Sequence, residues 1–392
     1  MAFVTANGIS IHHRIEGRRG APRLVFLNSL GSDLRIWADV ADRLRDRFEI
    51  LLVDKRGHGL TEATPGPYSI PLLAEDLTAL LDALGWRKTS IVGLSIGGLI
   101  AQHVAIHAPE RVESLVLMDT AARIGEAQAW NDRIATVQKS GVAAIGEAVA
   151  SRWFSEAFPA EHPARFAAWR AMLEATPREG YAGACAAVRD ADYLGEVPRI
   201  AAAVLAIVGD ADKPTSPDLV KGTADLIPGA RFAVVAGAGH LPCLERPAEV
   251  AALIADHVEA SRATTAATRF DAGMAVRRQV LGDAHVDRAS AAITPFDAPF
   301  QHFITEGAWG SVWAGDRFTR RERSIVTIAL LAALGQDDEV AMHVRATRNT
   351  GASAEDIAEA LMHVAVYAGV PAANHAIKIA KKTYAEMEDA AR

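Results

Sequence analysis

Val92-Gly-Leu-Ser-Ile-Gly-Gly98, set between the apolar Ser90-Ile-Val92 and the helical Leu99-Ile-Ala-Gln-His-Val-Ala105, decides the fold of this chain. A G-x-S-x-G pattern that joins a strand to a helix predicts a nucleophile elbow, a strained turn presenting a serine hydroxyl at the carboxyl end of the strand. Ser95 is the expected nucleophile. Gly93 and Gly97 suit such a turn because the neighbouring chain segments approach too closely for a Cβ. The helix that follows aims backbone N–H groups at the place where an oxyanion would develop.

Working outward, Leu24-Val-Phe-Leu27, Ile50-Leu-Leu-Val53, Leu115-Val-Leu-Met118, Val204-Leu-Ala-Ile-Val208 and Phe232-Ala-Val-Val235 are short apolar runs that alternate with amphipathic helical stretches. Such runs predict strands of a mostly parallel sheet covered on both faces. From about residue 121 to 195 the strand signal stops, and Trp130, Trp153, Phe154, Phe158, Phe166, Trp169 and Met172 lie among helical spacings. A helical cap over the sheet is expected there. Strand 204–208 runs into Gly209-Asp-Ala-Asp212 and strand 232–235 into Ala236-Gly-Ala-Gly-His240, giving the order Ser, Asp, His that marks α/β hydrolases. Asp212 is expected to orient His240, and His240 to take the Ser95 proton and return it to the leaving group. Asp210 and Asp119 are rival carboxylates. His103 and His107, on the helix behind the elbow, and His58 read as packing or structural groups.

The chain has 392 residues, half of them hydrophobic and under a quarter charged, with a formal charge of -7. That length exceeds the roughly 250 to 300 residues one core usually supports, so two domains are expected. The acidic balance argues against nucleic acid or an anionic membrane as the main partner and leaves a small molecule. Cys185 and Cys243 are far apart and in no metal or redox spacing, which fits a reducing cytoplasm and suggests no metal site. The N-terminus lacks a leader pattern, and no apolar run approaches the roughly 18 to 20 residues needed to span a membrane.

After Pro247, residues 248–256 read as a closing helix, and Ser261-Arg-Ala-Thr-Thr-Ala-Ala-Thr268 loses apolar periodicity. The expected division is a hydrolase domain over residues 1–260, a linker over 261–269 and an all-α domain over 270–392. Within the last, Thr319-Arg-Arg-Glu322 is a capping box, Gly335 a stop, Ser353-Ala-Glu-Asp356 a second start, and Pro371 fits a first turn. Glu339-Val-Ala-Met-His343 places a carboxylate and an imidazole four residues apart on one helix, either a proton-transfer pair or a solvated or oligomer-facing stripe.

Leu27-Asn-Ser-Leu-Gly-Ser-Asp33, Asp54-Lys-Arg-Gly-His-Gly59 and Gly93-Leu-Ser-Ile-Gly-Gly98 together resemble the 3-oxoadipate enol-lactonases among α/β hydrolases. Many relatives carry His-Gly where this chain has Asn28-Ser29. The resemblance implies an oxyanion hole made by the N–H groups of Leu30 and Ile96. Residues from about 270 onward resemble 4-carboxymuconolactone decarboxylases, notably residues 319–334, 343–351 and 366–374. The wider superfamily includes thiol peroxidases, but no cysteine follows Cys243, so that chemistry is excluded here. The second resemblance implies cofactor-free decarboxylation, His343 as the acid with Glu339 orienting it or sharing its proton, Arg323 and Arg348 either holding substrate carboxylates or forming helix-surface ion pairs, and homo-oligomers through this domain. The two resemblances together imply successive steps of the protocatechuate branch of the 3-oxoadipate pathway. The alternative is an esterase or haloperoxidase-like head on a non-catalytic oligomerisation module. Arg133, Arg152 and Arg189, all in the cap, are open candidates for binding a substrate carboxylate.

Overall fold

In the computed structural model, which describes residues 2–389, one compact unit ends at Arg262 and a second begins at Ala263. The first unit is built on an eight-stranded sheet of β1 (Ala2–Ala6), β2 (Ile9–Gly17), β3 (Arg23–Leu27), β4 (Glu49–Val53), β5 (Thr89–Leu94), β6 (Val112–Met118), β7 (Ala203–Gly209) and β8 (Arg231–Val235). The order is β1-β2-β4-β3-β5-β6-β7-β8, antiparallel at β1–β2 and β2–β4 and parallel from β4 onward. Every strand predicted from an apolar run is present. β3, β4 and β5 lie in the middle of the sheet, and Leu24, Val25, Phe26, Ile50, Leu51, Leu52, Ile91 and Val92 on them are buried, which is why they read as unbroken apolar stretches.

β1 and β2 lie outside the sequence reading. They form an edge hairpin whose turn, Asn7-Gly8, has φ of 46° and 75°, both left-handed as a tight two-residue hairpin requires. Helices Ala127–Ser140, Gly146–Trp153, Pro163–Glu174 and Arg178–Arg189 form the expected cap. Trp153, Phe154, Phe158, Met172, Leu173 and Tyr181 anchor it into the main core. Among the described residues, no helix is long and apolar enough to cross a membrane.

The expected linker at 261–269 is corrected by the structure: those residues lie inside one helix, Pro247–Leu281. Loss of apolar periodicity signals loss of a buried face, not loss of helix. Ser261 to Arg269 contains neither Gly nor Pro, and its alanines and arginines favour helix, so nothing in the segment terminates it.

The second unit is all-helical, with helices Asp283–Ala291, Ala298–Ile304, Arg320–Ala333, Asp337–Thr350, Ala354–Tyr367 and Val370–Asp389 following the long one. Thr319/Glu322 and Ser353/Asp356 form reciprocal capping boxes, and Gly335 leaves its helix at a left-handed φ of 69°. Ile328, Val340, Val344, Ile357, Leu361 and Val364 fill its core. Residues Thr305–Trp313 form a π-helical stretch that the sequence reading does not anticipate.

Candidate active sites

Ser95 sits between β5 and helix Ile96–His107 with φ 58° and ψ -119°, a strained conformation for a residue with a Cβ, worth on the order of 1–3 kcal/mol. Its surroundings enforce the turn. A Cβ on Gly93 would meet the Gly97 carbonyl oxygen at 2.3 Å, and one on Gly97 would meet the Leu27 carbonyl oxygen at 2.4 Å. The Ser95 N–H donates to the Met118 carbonyl at 3.0 Å, tying the elbow to β6.

His240 follows β8 and is buried. Its Nδ1 lies 3.1 and 3.0 Å from the two carboxylate oxygens of Asp212, so Nδ1–H donates to Asp212 and Nε2 is left to accept. Burial would raise the Asp212 pKa, but the charge and hydrogen bond of His240, with two bonds from Thr215, outweigh it and hold the carboxyl below its ordinary value. Thr215 donates through its N–H at 3.0 Å and its hydroxyl at 2.6 Å. Sequence reasoning missed Thr215, although an aspartate with a threonine three residues on is a recognisable local turn. Asp210 is excluded as the partner of His240: its Oδ1 accepts from the N–H groups of Gly237 and Ala238, at 2.9 and 3.2 Å, and so pins the loop that carries His240. His103 bonds to the Tyr193 hydroxyl at 2.9 Å, away from this site.

Ser95 and His240 line one cavity of about 150 Å³ with Ser29, Leu30, Trp130, Arg133 and Arg152. Ligand pockets for drug-sized molecules run from about 300 Å³, so this one suits something smaller. Ser29 is a second missed residue, with its hydroxyl 3.5 Å from His240 Nε2. Of the three cap arginines, Arg189 is turned away and bound to Asp190 and Asn131. Arg133 lies 4.8 Å over the Trp130 ring and Arg152 reaches the Lys213 carbonyl; among the described residues no carboxylate pairs with either.

Ile96 is the first residue of its helix, so its N–H has no intrahelical acceptor. The other expected donor, Leu30, lies in a loop held by two buried groups. The Lys55 ammonium donates to the carbonyls of Ser29 at 2.6 Å and Ser32 at 3.2 Å, and His58 Nε2 accepts from the Gly31 N–H at 3.0 Å. Burial pushes the Lys55 pKa down to about 7 against the pull of Asp54 and Asp33, and burial holds His58 neutral. Lys55→Met removes both carbonyl contacts. An oxyanion donor is worth about 10²–10³ in kcat, and loosening its loop is expected to cost roughly 10- to 100-fold in kcat for ester hydrolysis, with KM changing less. Steady-state kinetics checks this, and an unchanged kcat would remove Lys55 from the account.

In the second unit, Glu339, Arg345 and Arg348 lie along a cleft of about 820 Å³ with His285, Arg288 and Asp338. His285 and Arg345 are the residues sequence reasoning missed here. His285 is four residues into a different segment, Leu281-Gly-Asp-Ala-His285, and carries no spacing relation to residue 339. Arg323 is not on the cleft: its guanidinium caps the Gly315 carbonyl at 2.9 Å and lies over the Phe318 ring, because the residues before its helix fold back on its first turn.

His343 also departs from expectation. Its ring is buried, roughly parallel to Trp309 and Trp313 at centroid distances of 6.4 and 5.8 Å, with Nδ1 unpartnered, whereas Glu339 is exposed. Burial, with a contribution from His285, lowers the His343 pKa to about 4. The ring is neutral at pH 7. A stability effect follows. The unfolded chain binds this proton near pH 6.5 and the native state only near 4, so His343 contributes fully above pH 6.5 and loses roughly 3 kcal/mol as pH falls from 6.5 to 4, with no further loss below. Urea unfolding of the full chain at pH 7 and pH 4.5 should show a larger acid loss for wild type than for His343→Phe; equal losses would contradict the buried neutral ring.

The fold and first site define a serine hydrolase of the α/β type, joined to a helical unit with its own polar cleft. The chain belongs to the alpha/beta hydrolase family, matched over residues 24–253, and to the carboxymuconolactone decarboxylase family, matched over residues 298–382. It is similar to 3-oxoadipate enol-lactonase 2 of Acinetobacter baylyi, 37% identical over 54% of this chain and 80% of that protein. The 4-carboxymuconolactone decarboxylase of the same organism is 41% identical over 30% of this chain and 89% of its own length. The crystal structure of the enol-lactonase from Burkholderia xenovorans superposes with a TM-score of 0.65 at 35% identity, covering 66% of this chain and all of that one.

Proposed function

We propose that the chain is a bifunctional enzyme of the protocatechuate branch of the 3-oxoadipate pathway. Its second unit decarboxylates 4-carboxymuconolactone to 3-oxoadipate enol-lactone, and its first unit hydrolyses that lactone to 3-oxoadipate. The observation that carries the reading is a Ser95–His240 cavity, small and edged by two arginines that have no carboxylate partner among the described residues, in the same chain as a decarboxylase-family unit.

In the first unit Ser95 Oγ attacks the lactone carbonyl as His240 Nε2 takes its proton. The N–H groups of Leu30 and Ile96 hold the oxyanion, and Arg133 and Arg152 hold the side-chain carboxylate. The ring C–O bond breaks, the leaving enol oxygen receives the proton from His240, and the enol ketonises. Water activated by His240 then releases the acyl group from Ser95.

In the second unit the bond from the ring carbon to the departing carboxylate breaks, and its electron pair passes through the ring double bond onto the lactone carbonyl oxygen. The substrate is its own electron sink, so no cofactor is needed. Arg345 and Arg348 hold carboxylate, and His285 and Glu339, which line the cleft, relay the proton to the ring carbon next to the lactone carbonyl, while the carbon that lost the carboxylate keeps the new ring double bond. His343, buried against Trp309 and Trp313, remains a further candidate for moving this proton.

The second unit also exposes Phe296, Phe303, Leu334, Val366, Tyr367 and Val370, with Phe296 and Tyr367 at 95% and 85% exposure. That much apolar surface on one small unit supports homo-oligomer formation through it. Sedimentation velocity of the full chain tests this, and a monomer at micromolar concentration would exclude it. The buried, free Cys185 and Cys243 fit a reducing cytoplasm.

The function is tested by incubating purified protein with 4-carboxymuconolactone, without added metal or nucleotide, and following products by NMR. Appearance of 3-oxoadipate supports both steps; accumulation of enol-lactone removes the first unit's role, and no reaction removes the pathway reading.

A further inference from the structure

Asp119 is the carboxylate near the first site that the mechanism leaves unused, and it is fully buried. It follows β6 at a left-handed φ of 45°, an unfavourable conformation for a residue with a Cβ. Its N–H donates to the Ile207 carbonyl at 2.8 Å and its Oδ1 accepts the Gly209 N–H at 2.9 Å, so one oxygen is pinned to β7, the strand that leads into Asp212. The other oxygen, Oδ2, is buried without a bonded partner. One ligand atom each from Asp119, Asp212 and His240 lie within 4.8 Å of one another.

Two carboxylates this close in a dry site cannot both carry charge. Burial, and then the charge of Asp212, push the Asp119 pKa well above the carboxylate range, while Asp212 is held low by His240 and Thr215. The shared proton therefore resides on Asp119. Oδ1 already accepts from a backbone amide, so the proton belongs on Oδ2.

We propose that Asp119 is a positioning residue of the serine-hydrolase site: a neutral acid that donates from Oδ2 to Asp212, and that takes over the negative charge and the orientation of His240 when Asp212 is neutralised. In the native site Asp212 then accepts from Thr215 N–H, Thr215 hydroxyl, His240 Nδ1 and Asp119 Oδ2. In Asp212→Asn the repulsion from Asp212 is gone but burial still favours the neutral acid, so the Asp119 proton leaves to solvent as pH rises and leaves a carboxylate within reach of Nδ1.

The inference rests on the serine-hydrolase reading but not on the lactone substrate, so its test uses p-nitrophenyl acetate. The full-length protein is compared with Asp212→Asn, Asp119→Asn and the double variant between pH 5 and 10, with thermal melts as a folding check. Asp119→Asn is expected to lower kcat several-fold with KM unchanged. Asp212→Asn should retain at least tenfold more activity than the double variant, and that ratio should grow with pH as Asp119 ionises. The other titratable groups facing Asp119 are Asp212, His240, Cys243 and Glu245. His240, Cys243 and Glu245 are common to both variants, and Asp212 is replaced in both, so the ratio isolates Asp119. Equal activities of single and double variants at every pH would overturn the proposal. Should the wild type not hydrolyse the ester, the hydrolase reading fails, and Asp119 is decided by NMR: the downfield Nδ1–H resonance of His240 persists in Asp212→Asn and disappears in the double variant if the proposal holds, and is lost from both if it does not.

Discussion

Ser95→Ala is expected to lower enol-lactone hydrolysis by a factor on the order of 10⁶ and to leave decarboxylation at the wild-type rate. The size of the loss comes from the covalent route. Without Oγ there is no acyl-enzyme, and His240 loses the proton it is placed to take, so what remains is the binding cavity and the two oxyanion donors. Those alone give residual catalysis of about 10³–10⁴ over water in serine triads. The substitution is mild for the fold. Ser95 already occupies its strained φ with a Cβ, and removing one oxygen that lines a cavity creates no buried orphan. Decarboxylation is spared because Ser95 lies in the unit ending at Arg262, while His285, Glu339, Arg345 and Arg348 lie in the other. With 4-carboxymuconolactone the variant should therefore accumulate enol-lactone, visible by NMR, where the wild type yields 3-oxoadipate. Wild-type hydrolysis by the variant would remove Ser95 from the mechanism; loss of both activities would point to misfolding or to a shared site.

How much of this was legible in the sequence depends on how each feature is held in place. The parallel strands were readable because burial on both faces writes an apolar run. β2 was not, since this strand, second from the sheet edge and carrying His12, His13 and Arg14, has no such run, although Asn7-Gly8 marks the hairpin turn. Ser95, Asp212 and His240 were readable because the elbow and the strand ends fix them locally. The exclusion of Asp210, two residues before Asp212, was not, because it depends on whether the loop after β8 presents its amides or its imidazole. The second unit defeated the reading for a different reason. Residues four apart share a helix face only within about a 40° rotation. That is enough to put Glu339 on a solvent-filled cleft and His343 beside the two tryptophans. Finding His285 requires knowing which other helix faces that cleft, and no local pattern carries that information.

Arg133→Leu is expected to lower kcat/KM for the enol-lactone about 10³-fold and to change the hydrolysis of neutral acetate esters by less than about threefold. The argument is electrostatic. Arg133 lines the cavity with Ser95 and His240, lies over the Trp130 ring, and among the described residues has no carboxylate partner. A guanidinium held against an aromatic face keeps its charge and presents a planar fork to a carboxylate. A substrate whose ring ester must reach Ser95 and whose side chain ends in a carboxylate needs such a fork at one end of the cavity, and removing one partner of an enclosed charge pair costs about 2–5 kcal/mol. Arg152 stays in the variant, but its guanidinium is exposed and already bonded to the Lys213 carbonyl, so it holds the anion less firmly. Leucine keeps apolar bulk beside Trp130 but also removes the guanidinium next to the buried Tyr181 hydroxyl, so the charge effect is separated from packing by the choice of substrate. The comparison of substrates is the deciding measurement: a loss confined to the carboxylate-bearing lactone supports an anion anchor. An equal loss on neutral esters would mean that Arg133 only shapes the cavity, through the buried Tyr181 that lines it.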